Sequence, residues 1–363
     1  MRVLHGMREV AGQAYYSVKG LRRQGCRADL ILWDPSPFGY PVDKCLNIDF
    51  ANKKKYPWYV IKLGCNFISS LFKYDVFHFH FGHSLLPFGI DLPVLKLFRK
   101  KIICEFHGDD VRNPQFIKKF YKYVDFEIYM GSQDAKVLKE RRSKRVKYIM
   151  KYADHVVLHD DELVSHVKAE GLTAISVVPL RLDVNSITPC YPENTNEKRI
   201  NIVHAPSGNG KGTKWFLEAM EKLSQKHNIN LILIRNLPQQ EAFKEYMKAD
   251  IIFDQITVGT YGVFAIEAMA MGKPVITYIS EDMKKKLPKD LPIVSATPDS
   301  LYGVLESLIL DSELRNHLGK QGRQYACKYH DCGNNAAVLK AIYEGKENGL
   351  TGEAAFNQVV RKV

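Results

Sequence analysis

The chain has 363 residues, of which 45% are hydrophobic and 25% are charged, a composition typical of a globular protein long enough for two domains. The seven cysteines lack paired-ligand spacing, which argues against a disulfide framework or a structural zinc site. The sequence contains no uninterrupted apolar run of about 18 residues, so no membrane span is predicted. No N-terminal segment resembles a secretion signal, so we expect reduced thiols and a cytoplasmic protein.

Short apolar strands alternate with helical stretches through the first half of the chain. Strands separated by helices imply parallel βαβ units, so the predicted fold is an α/β doubly wound sheet. A helix is predicted from about residue 13 to 24, and strands are predicted at residues 2–5, 29–33, 76–80, 102–107, 155–158 and 176–179.

Positive charge is concentrated in the same half. Residues 1–180 hold 29 of the 52 Lys and Arg residues but only 19 of the 40 Asp and Glu residues. Basic residues cluster at 53–55 and 136–151, and aromatic and apolar residues follow the first cluster at 56–59 and 67–72. This combination is typical of an interfacial contact, so we expect an anionic membrane surface as a partner. A solvated helix face would explain each charge run equally well.

A polar, proline-containing stretch at residues 183–199 predicts a linker between a first domain, 1–182, and a second domain, 200–332. The alternation of strands and helices restarts after it. The last segment, 333–363, contains a helix from about 333 to 343 and ends in a polar tail. In the second domain we predict strands at 200–204, 230–234, 250–253 and 275–279, and helices at 214–225 and 239–248.

The most informative segment runs from Gly259 to Ile276. It joins a glycine-containing turn, a helix start, Glu267 and a second turn that leads into a buried strand. Unpaired N–H groups at a helix N-terminus suit an anion such as a diphosphate. Glu267, about one turn into this helix, could accept hydrogen bonds from sugar hydroxyls. An ordinary βα unit with a solvated Glu267 would have the same spacing.

A second glycine-rich segment follows the first strand of the second domain. In residues 204–213, three glycines allow close approach of the backbone to a ligand, and Lys211 supplies a positive charge. The spacing is not that of a Walker loop, because Ala205 and Gly212 stand where Gly and Ser or Thr are needed. The next predicted strand ends without the acidic residue that an NAD ribose requires.

These motifs carry a family resemblance. The run 259–276 resembles the nucleotide-sugar signature of retaining GT-B glycosyltransferases of family 4, the glycosyl transferases group 1. In that signature two glutamates are separated by seven residues; Glu267 matches the second, and Gly259 replaces the first. Lys211 matches the lysine of the family's second-domain loop, but its arginine is absent. The resemblance implies two Rossmann-like doubly wound parallel-sheet domains facing a cleft, with a C-terminal helix returning to the first.

The resemblance also implies roles for individual residues. As the catalytic residues, Lys211 would neutralise the donor diphosphate, Glu267 would hold the ribose, and His107 would donate a hydrogen bond to the donor sugar. No metal or other cofactor is implied, since a lysine and helix dipoles can stabilise the leaving diphosphate. The other predicted donor-binding residues are Gly12, Ser207, Gly208, Arg235, Leu237, Pro238, Asp254, Tyr261, Gly262, Val263 and Phe264.

The function that follows from the resemblance is transfer of a sugar from a nucleoside-diphosphate sugar to a lipid-linked or surface-glycan acceptor, as in polysaccharide or lipopolysaccharide biosynthesis. The enzyme would act in the cytoplasm, at the inner face of the membrane. Gly259 keeps open a non-catalytic nucleotide-sugar-binding partner, and a nucleotide-sugar epimerase of the same fold is a further alternative. Nucleic acid is not an expected partner, because no recognised binding motif accompanies the basic residues.

Two further groups of side chains in the first domain carry open interpretations. His78 and His80 share one face of a predicted strand and could bind a metal, but no third ligand is evident in the sequence, so we expect them to line a pocket or the core. Asp109 and Asp110, which follow His107, are expected to cap the next helix or to shape an acceptor pocket.

Overall fold

A computed structural model describes residues 1–36, 38–168, 175–195, 198–206, 208–235 and 237–346. The chain divides into two compact units. The first unit comprises Met1–Asn113, Val137–Asp183 and the described residues from Cys332 onward, and the second comprises Pro114–Lys136 and Val184–Asp331. The chain passes from the first unit to the second between Asp183 and Val184, at the start of the predicted linker. Residues 114–136, part of the predicted first domain, belong to the second unit.

All the strand pairs between the named strands are parallel, as the alternating pattern predicts. The strands in chain order are β1 (Arg2–Met7), β2 (Arg27–Leu32), β3 (Lys44–Cys45), β4 (Val76–His80), β5 (Lys101–Phe106), β6 (His155–Leu158), β7 (Ile175–Val177), β8 (Ile200–His204), β9 (Ile229–Leu233), β10 (Ile251–Phe253) and β11 (Val275–Ile276).

Helices connect these strands. The helices in chain order are α1 (Gln13–Arg23), α2 (Tyr56–Lys73), α3 (Leu92–Leu97), α4 (Pro114–Phe120), α5 (Phe126–Met130), α6 (Ala135–Met150), α7 (Asp161–Lys168), α8 (Thr213–Ser224), α9 (Gln239–Met247), α10 (Val263–Ala270), α11 (Glu281–Lys286), α12 (Leu301–Leu310), α13 (Ser312–Tyr329) and α14 (Cys332–Glu344). Among the residues that the structure describes, none of these helices combines the length and apolarity needed to cross a bilayer.

The first unit is built on a seven-stranded sheet in the order β3-β2-β1-β4-β5-β6-β7. Its central strands are covered on both faces and therefore carry near-continuous apolar runs. The register places His5 of β1 beside His78 of β4, and His80 of β4 beside Glu105 of β5. Polar side chains from three neighbouring strands are thus brought together inside an apolar sheet.

The second unit has a four-stranded sheet in the order β11-β10-β8-β9. Its core includes Phe216 of α8, whose ring stacks on Phe253 of β10 with centroids 4.4 Å apart. The carboxyl ends of β8, β9 and β10 lie at one edge of this sheet, which is where open α/β sheets bind ligands. Helix α5 contacts the turn at residues 209–211, beside the same edge.

The C-terminal helix α14 packs on α1 inside the first unit. The two helices approach closely because Gly20 has no side chain, and a Cβ there would overlap the backbone oxygen of Cys332. Lys101 Nζ donates to the carbonyl oxygens of Ile342 and Tyr343, at 2.7 and 2.9 Å, and so satisfies carbonyls at the end of α14. This packing buries Tyr343 against the sheet.

Candidate active site

The glycine-rich loop after β8 is shaped by two contacts of the second unit. Gly212 has a φ of 84°, and a Cβ there would lie 2.5 Å from Ile256 Cγ1, so no larger residue fits without displacing that side chain. Thr257 Oγ1 donates to the carbonyl oxygen of Gly210 at 2.6 Å and holds the loop in place. A Cβ at Gly208 or Gly210 would meet no atom within 4 Å, so this stretch of backbone is open to a ligand.

Lys211 and Asp254 lie close together at the strand ends. Lys211 Nζ is 3.8 Å from Asp254 Oδ1, and the lysine side chain is 29% exposed whereas Asp254 is buried. The other oxygen of Asp254 accepts a hydrogen bond from Gly262 N at 3.4 Å, at the position that precedes α10. Asp254 therefore connects the lysine loop to the start of α10, where the helix dipole also favours an anion.

Glu267 lies one turn into α10 and is 7% exposed. Its Oε1 accepts a hydrogen bond from Gln239 Nε2 at 3.0 Å. Burial, together with the negative charge of Asp254, raises the pKa of Glu267 to about 7, and the bond from Gln239 opposes this shift. The carboxyl group therefore titrates near neutral pH when no ligand is bound.

The turn between β10 and α10 is held by a buried amide that the sequence analysis did not identify. Gln255 Oε1 accepts hydrogen bonds from Thr257 N and Val258 N, both at 2.9 Å, and its Nε2 donates to the carbonyl oxygen of Thr260. Within this turn Gly259 has a φ of 84°, in the left-handed region that disfavours side chains. The only sequence signal for Gln255 is its position directly after a buried strand and an acidic residue.

Several predicted donor residues make contacts within the second unit. The hydroxyl of Tyr261 lies 3.1 Å from both Tyr325 Oη and His330 Nε2, so this phenol points toward the end of α13. Half-buried Val263 opens α10, and the ring of Phe264 contacts that of Tyr246 with centroids 4.7 Å apart. These side chains fix the position of α10, and the N–H groups at its start are the part left for a ligand.

The loop after β9 presents Arg235 and Leu237 to solvent, the latter with 39% of its surface exposed. Pro238 precedes α9 and accepts a hydrogen bond from Glu241 N at 3.0 Å. The positive charges of Lys211 and Arg235 both contribute, after burial, to lowering the pKa of His204 to about 4. Both cations therefore act on the same strand end. Ser207 lies outside the described residues.

In the first unit, Gly12 precedes α1 with a φ of 82°. A Cβ at this position would lie 2.6 Å from the ring of Tyr16 and 2.8 Å from that of Tyr40, so two tyrosines enclose the backbone here. Gly12 is thus required by the entry into α1 and by close packing.

His107 follows β5 and belongs to a buried chain of hydrogen-bonding side chains. His107 Nε2 lies 3.0 Å from His80 Nδ1, and His80 Nε2 lies 3.0 Å from His5 Nδ1. The Tyr343 hydroxyl lies 3.0 Å from His5 Nε2 and 2.6 Å from His78 Nδ1. We call this set, completed by Glu105, the histidine network: His5, His78, His80, His107, Tyr343 and Glu105.

The histidine network has one consistent direction of donation if His78 is protonated at Nε2. His78 Nε2 lies 3.2 Å from Glu105 Oε2, outside hydrogen-bond geometry, and a proton on that nitrogen avoids placing its lone pair against a carboxylate. His78 Nδ1 then accepts from Tyr343, Tyr343 accepts from His5 Nε2, and His5 Nδ1 accepts from His80 Nε2. His80 Nδ1 accepts in turn from His107 Nε2. With this assignment Nδ1 of His107 is a hydrogen-bond acceptor, and the predicted donation from His107 to a donor sugar would need the other tautomer.

The electrostatics fit neutral imidazoles. Burial lowers the pKa of His107 to about 3 and that of the network's other histidines below their usual value. Burial alone would raise the pKa of Glu105, but contact with the Arg181 guanidinium and the nearby imidazoles hold it well below its usual range. Arg181 thus neutralises the one buried carboxylate of the network.

The same cluster corrects one expectation. The sequence offered no third metal ligand for His78 and His80, but the fold supplies His5 beside both, and Glu105 and His107 beside His80, with ligand atoms within 4.8 Å. These residues could hold a transition metal. The predicted core position of His78 and His80 is confirmed, since both are fully buried.

Asp110 stabilises the loop that contains His107 through hydrogen bonds to its backbone. Its Oδ1 accepts hydrogen bonds from His107 N and Gly108 N, both at 2.9 Å, and burial raises its pKa to about 7. Asp109 is exposed and lies 3.8 Å from Arg112 Nη1. The carboxylate of Asp110 therefore shapes the end of β5 by capping backbone N–H groups.

Solved structures with this fold include nucleotide-sugar proteins. Sucrose-phosphate synthase of Thermosynechococcus elongatus aligns with a TM-score of 0.63 and 14% identity over 95% of this chain and 99% of its own. HepE of Anabaena in complex with UDP-glucose aligns with a TM-score of 0.63 and 12% identity over 95% and 100%. A Listeria monocytogenes protein to which UDP-N-acetylglucosamine 2-epimerase activity is attributed aligns with a TM-score of 0.58 and 13% identity over 96% and 98%. The fold is therefore GT-B.

Residues 192–325 match the family model described as glycosyl transferases group 1. The matched segment contains Lys211, Asp254 and Glu267. This match and the shared fold support a glycosyltransferase. A search of curated proteins finds no significant match to the chain.

The candidate donor site in the second unit gathers residues from the loops after β8 and β10 and from the starts of α9 and α10. Lys211, Asp254, Gly262 and Glu267, all predicted, lie at the strand ends of one sheet. Gln239, which holds Glu267, and Gln255, which holds the turn, were missed because amides at strand and helix ends have many structural roles.

Proposed function

We propose that the protein is a retaining glycosyltransferase that takes a sugar from a nucleoside-diphosphate sugar and passes it to a lipid-linked or surface-glycan acceptor. The observation that carries the proposal is the second-unit site, in which Lys211 and the start of α10 flank Asp254 while Glu267 is held by Gln239. A cation beside a helix N-terminus suits a diphosphate, and a fixed carboxyl group suits ribose hydroxyls.

The chemistry of the donor explains this arrangement. When the glycosidic bond breaks, negative charge develops on the β-phosphate of the leaving group. Lys211 and the N–H groups at the start of α10 would stabilise that charge without reorganisation, which lowers the barrier. His107 would accept a hydrogen bond from a hydroxyl of the donor sugar through Nδ1 in the tautomer assigned above.

A uridine donor is the first candidate, because the structure of HepE was solved with UDP and with UDP-glucose. The acceptor and the membrane are proposed from the first unit. The exposed face of α2 carries Trp58, Ile61, Ile68 and Phe72, each with 56–67% of its surface exposed. These positions recur at helical spacing beside the exposed lysines at 53–55, the pattern of a helix lying on an anionic bilayer.

The epimerase alternative retains one supporting observation, the similarity of fold to the Listeria protein. An epimerase would bind the same donor but convert it without an acceptor. A non-catalytic protein would bind the donor and leave it intact. These three functions therefore differ in the fate of the donor, which nuclear magnetic resonance of the sugar can follow directly.

The test begins with thermal stabilisation by a panel of nucleoside diphosphates and their sugars. A ligand at 100 times its dissociation constant adds about 2.7 kcal/mol of stability, which is readily measured. We expect one base to stabilise the wild type and a Glu221→Gln control, which alters an exposed carboxylate on α8, but not Glu267→Gln. If no nucleotide in the panel stabilises the wild type, the proposal is contradicted. With the donor identified, a membrane extract supplies acceptors, and transfer with retained anomeric configuration is the expected reaction.

A further inference from the structure

The first unit contains a cavity of about 570 Å³ that none of the preceding roles uses. It lies between the loop that follows β4 and one face of α6. This volume is within the range of about 300–1,000 Å³ typical of small-molecule sites. Trp33, Phe79, Leu86, Leu92 and Ile149 are among its apolar lining residues.

The loop that forms one wall is rigidly held. Trp33 Nε1 donates to the carbonyl oxygen of Leu85 at 3.1 Å. Asp91 accepts hydrogen bonds from Ser84 Oγ and from the backbone N–H groups of Leu85 and Leu86. The cavity is therefore preformed in the ligand-free chain.

One edge of the cavity is cationic. Arg141, Lys144 and Arg145 of α6 line it, and among the described residues none of the three has an acidic ion-pair partner within 4.0 Å. The stem of Arg145 lies against Gly82, where a Cβ would come within 2.9 Å of Arg145 Cδ. Gly82 has a φ of 63°, so the backbone of this loop is arranged to let Arg145 approach.

His83 also lines the cavity, and its pKa is affected by the positive charges around it. Burial, followed by the charges of Arg145 and Arg8, lowers the pKa of His83 to about 4. Burial also lowers the pKa of Arg145, where neighbouring arginines oppose the attraction of Asp110.

Two non-glycine residues beside the cavity have left-handed backbone conformations. Phe81 has a φ of 58° and Phe88 a φ of 62°, and Phe88 is 94% exposed. A bulky residue in this region of φ costs about 1–3 kcal/mol, and such residues concentrate at binding sites. An exposed aromatic ring in this conformation at the mouth of an apolar cavity is available to cover a ligand.

We propose that this cavity binds the acceptor substrate as an amphiphile, with an apolar chain against the aromatic and aliphatic wall and a phosphate group against Arg141, Lys144 and Arg145. The assignment of this amphiphile as the acceptor rests on the proposed transfer function. A free glycan would leave the apolar wall unused, and inorganic phosphate would use only the cationic edge. Both parts of the cavity are used by a lipid phosphate.

The test uses decyl phosphate below its micelle concentration, with decanol and inorganic phosphate as the two partial probes. Calorimetric titration should show decyl phosphate binding more tightly than either probe. Hexyl phosphate should bind more weakly, by about fourfold for each buried methylene removed.

Substitutions on α6 localise the site. Arg145→Gln and Lys144→Gln should each weaken decyl phosphate about tenfold or more, as loss of a charge-assisted hydrogen bond does. Lys147→Gln removes the same charge from the same helix at a position outside the cavity lining, and should have little effect. Equal affinity for decyl phosphate in all four proteins would overturn the proposal.

These measurements need no donor and no turnover. Failure of donor binding in the thermal panel would therefore contradict the proposed function and leave the cavity site standing. Failure of decyl phosphate to bind, with donor binding intact, would contradict only the cavity assignment.

Discussion

Replacing Tyr343 by Phe tests the histidine network directly. The Tyr343 hydroxyl lies 3.0 Å from His5 Nε2 and 2.6 Å from His78 Nδ1, so it joins two imidazoles that do not contact each other through nitrogen atoms. All three side chains are at least 96% buried. The substitution therefore removes one oxygen and leaves two buried nitrogens without that partner.

The magnitude follows from the cost of unsatisfied groups. Each buried donor or acceptor that loses its partner costs about 1–3 kcal/mol. Two such atoms, with partial relaxation of the rings, give an expected loss of about 2–4 kcal/mol in the free energy of unfolding. For a folding unit of 150–250 residues each kcal/mol corresponds to about 2–4 °C, so the melting temperature should fall by roughly 4–16 °C.

Calorimetry of the wild type and Tyr343→Phe measures this difference. Tyr56→Phe is the matched control, because its exposed hydroxyl donates to Phe50 O at 2.7 Å and both groups can bind water instead. The control should lose less than about 1 kcal/mol. Long-range ¹⁵N spectra of the wild type should also show His107 protonated at Nε2. A melting temperature for Tyr343→Phe equal to that of the control would refute the network.

The remaining predictions concern catalysis, affinity and pH. Lys211→Ala removes a positive charge beside the leaving group and should therefore lower turnover by about 10²-fold or more in a transfer assay. Lys214→Ala, in the first turn of α8, is the control. Nucleotide affinity measured by titration should rise between pH 6 and 8 as Glu267, whose pKa is about 7, becomes the carboxylate that accepts ribose hydroxyls, and Glu267→Gln should abolish this rise. Gly259→Ala should destabilise by about 1 kcal/mol or more in denaturant unfolding, since φ is 84° there and a Cβ would lie 3.0 Å from Ser280 Cβ. The free energy of unfolding should increase as pH rises from 5 to 6.5, by at least about 1 kcal/mol per pH unit. Eight histidines with lowered native pKa values take up protons on unfolding, whereas only four carboxyl groups with raised native pKa values release them.

The strand pattern was the most predictable part of the fold. The predicted strands at 76–80, 155–158 and 200–204 match the structure residue for residue, and most others differ by one or two residues at an end. Buried parallel strands are short apolar runs between turns, so their positions depend on local composition alone. The helices α2, α12 and α13 were not predicted, although their buried apolar residues recur at helical spacing.

The histidine network could not be predicted for a different reason. His5, His80 and Tyr343 are separated by tens to hundreds of residues and meet only through strand register and the packing of α14 on α1. Nothing in the local sequence of β1 distinguishes a buried histidine from an exposed one. In the donor site, by contrast, one glycine-rich segment and one helix start carry most of the residues, so a local motif identified Lys211 and Glu267.

The net charge of +12 indicates an anion-binding surface only where the basic side chains are not paired with carboxylates. Arg22 and Lys73 in the first unit bind carboxylates, at 2.8 Å from Asp43 and 2.7 Å from Asp29, and their charges are locally neutralised. Arg145, on the wall of the cavity, has no such partner among the described residues. A run of basic residues in the sequence is therefore equally compatible with a solvated surface and with an anion-binding site. The two are distinguished only by whether the fold places carboxylates beside the basic side chains. The basic stretch at 136–151 illustrates both, because one helix turns some of its cations to solvent and others toward an apolar cavity.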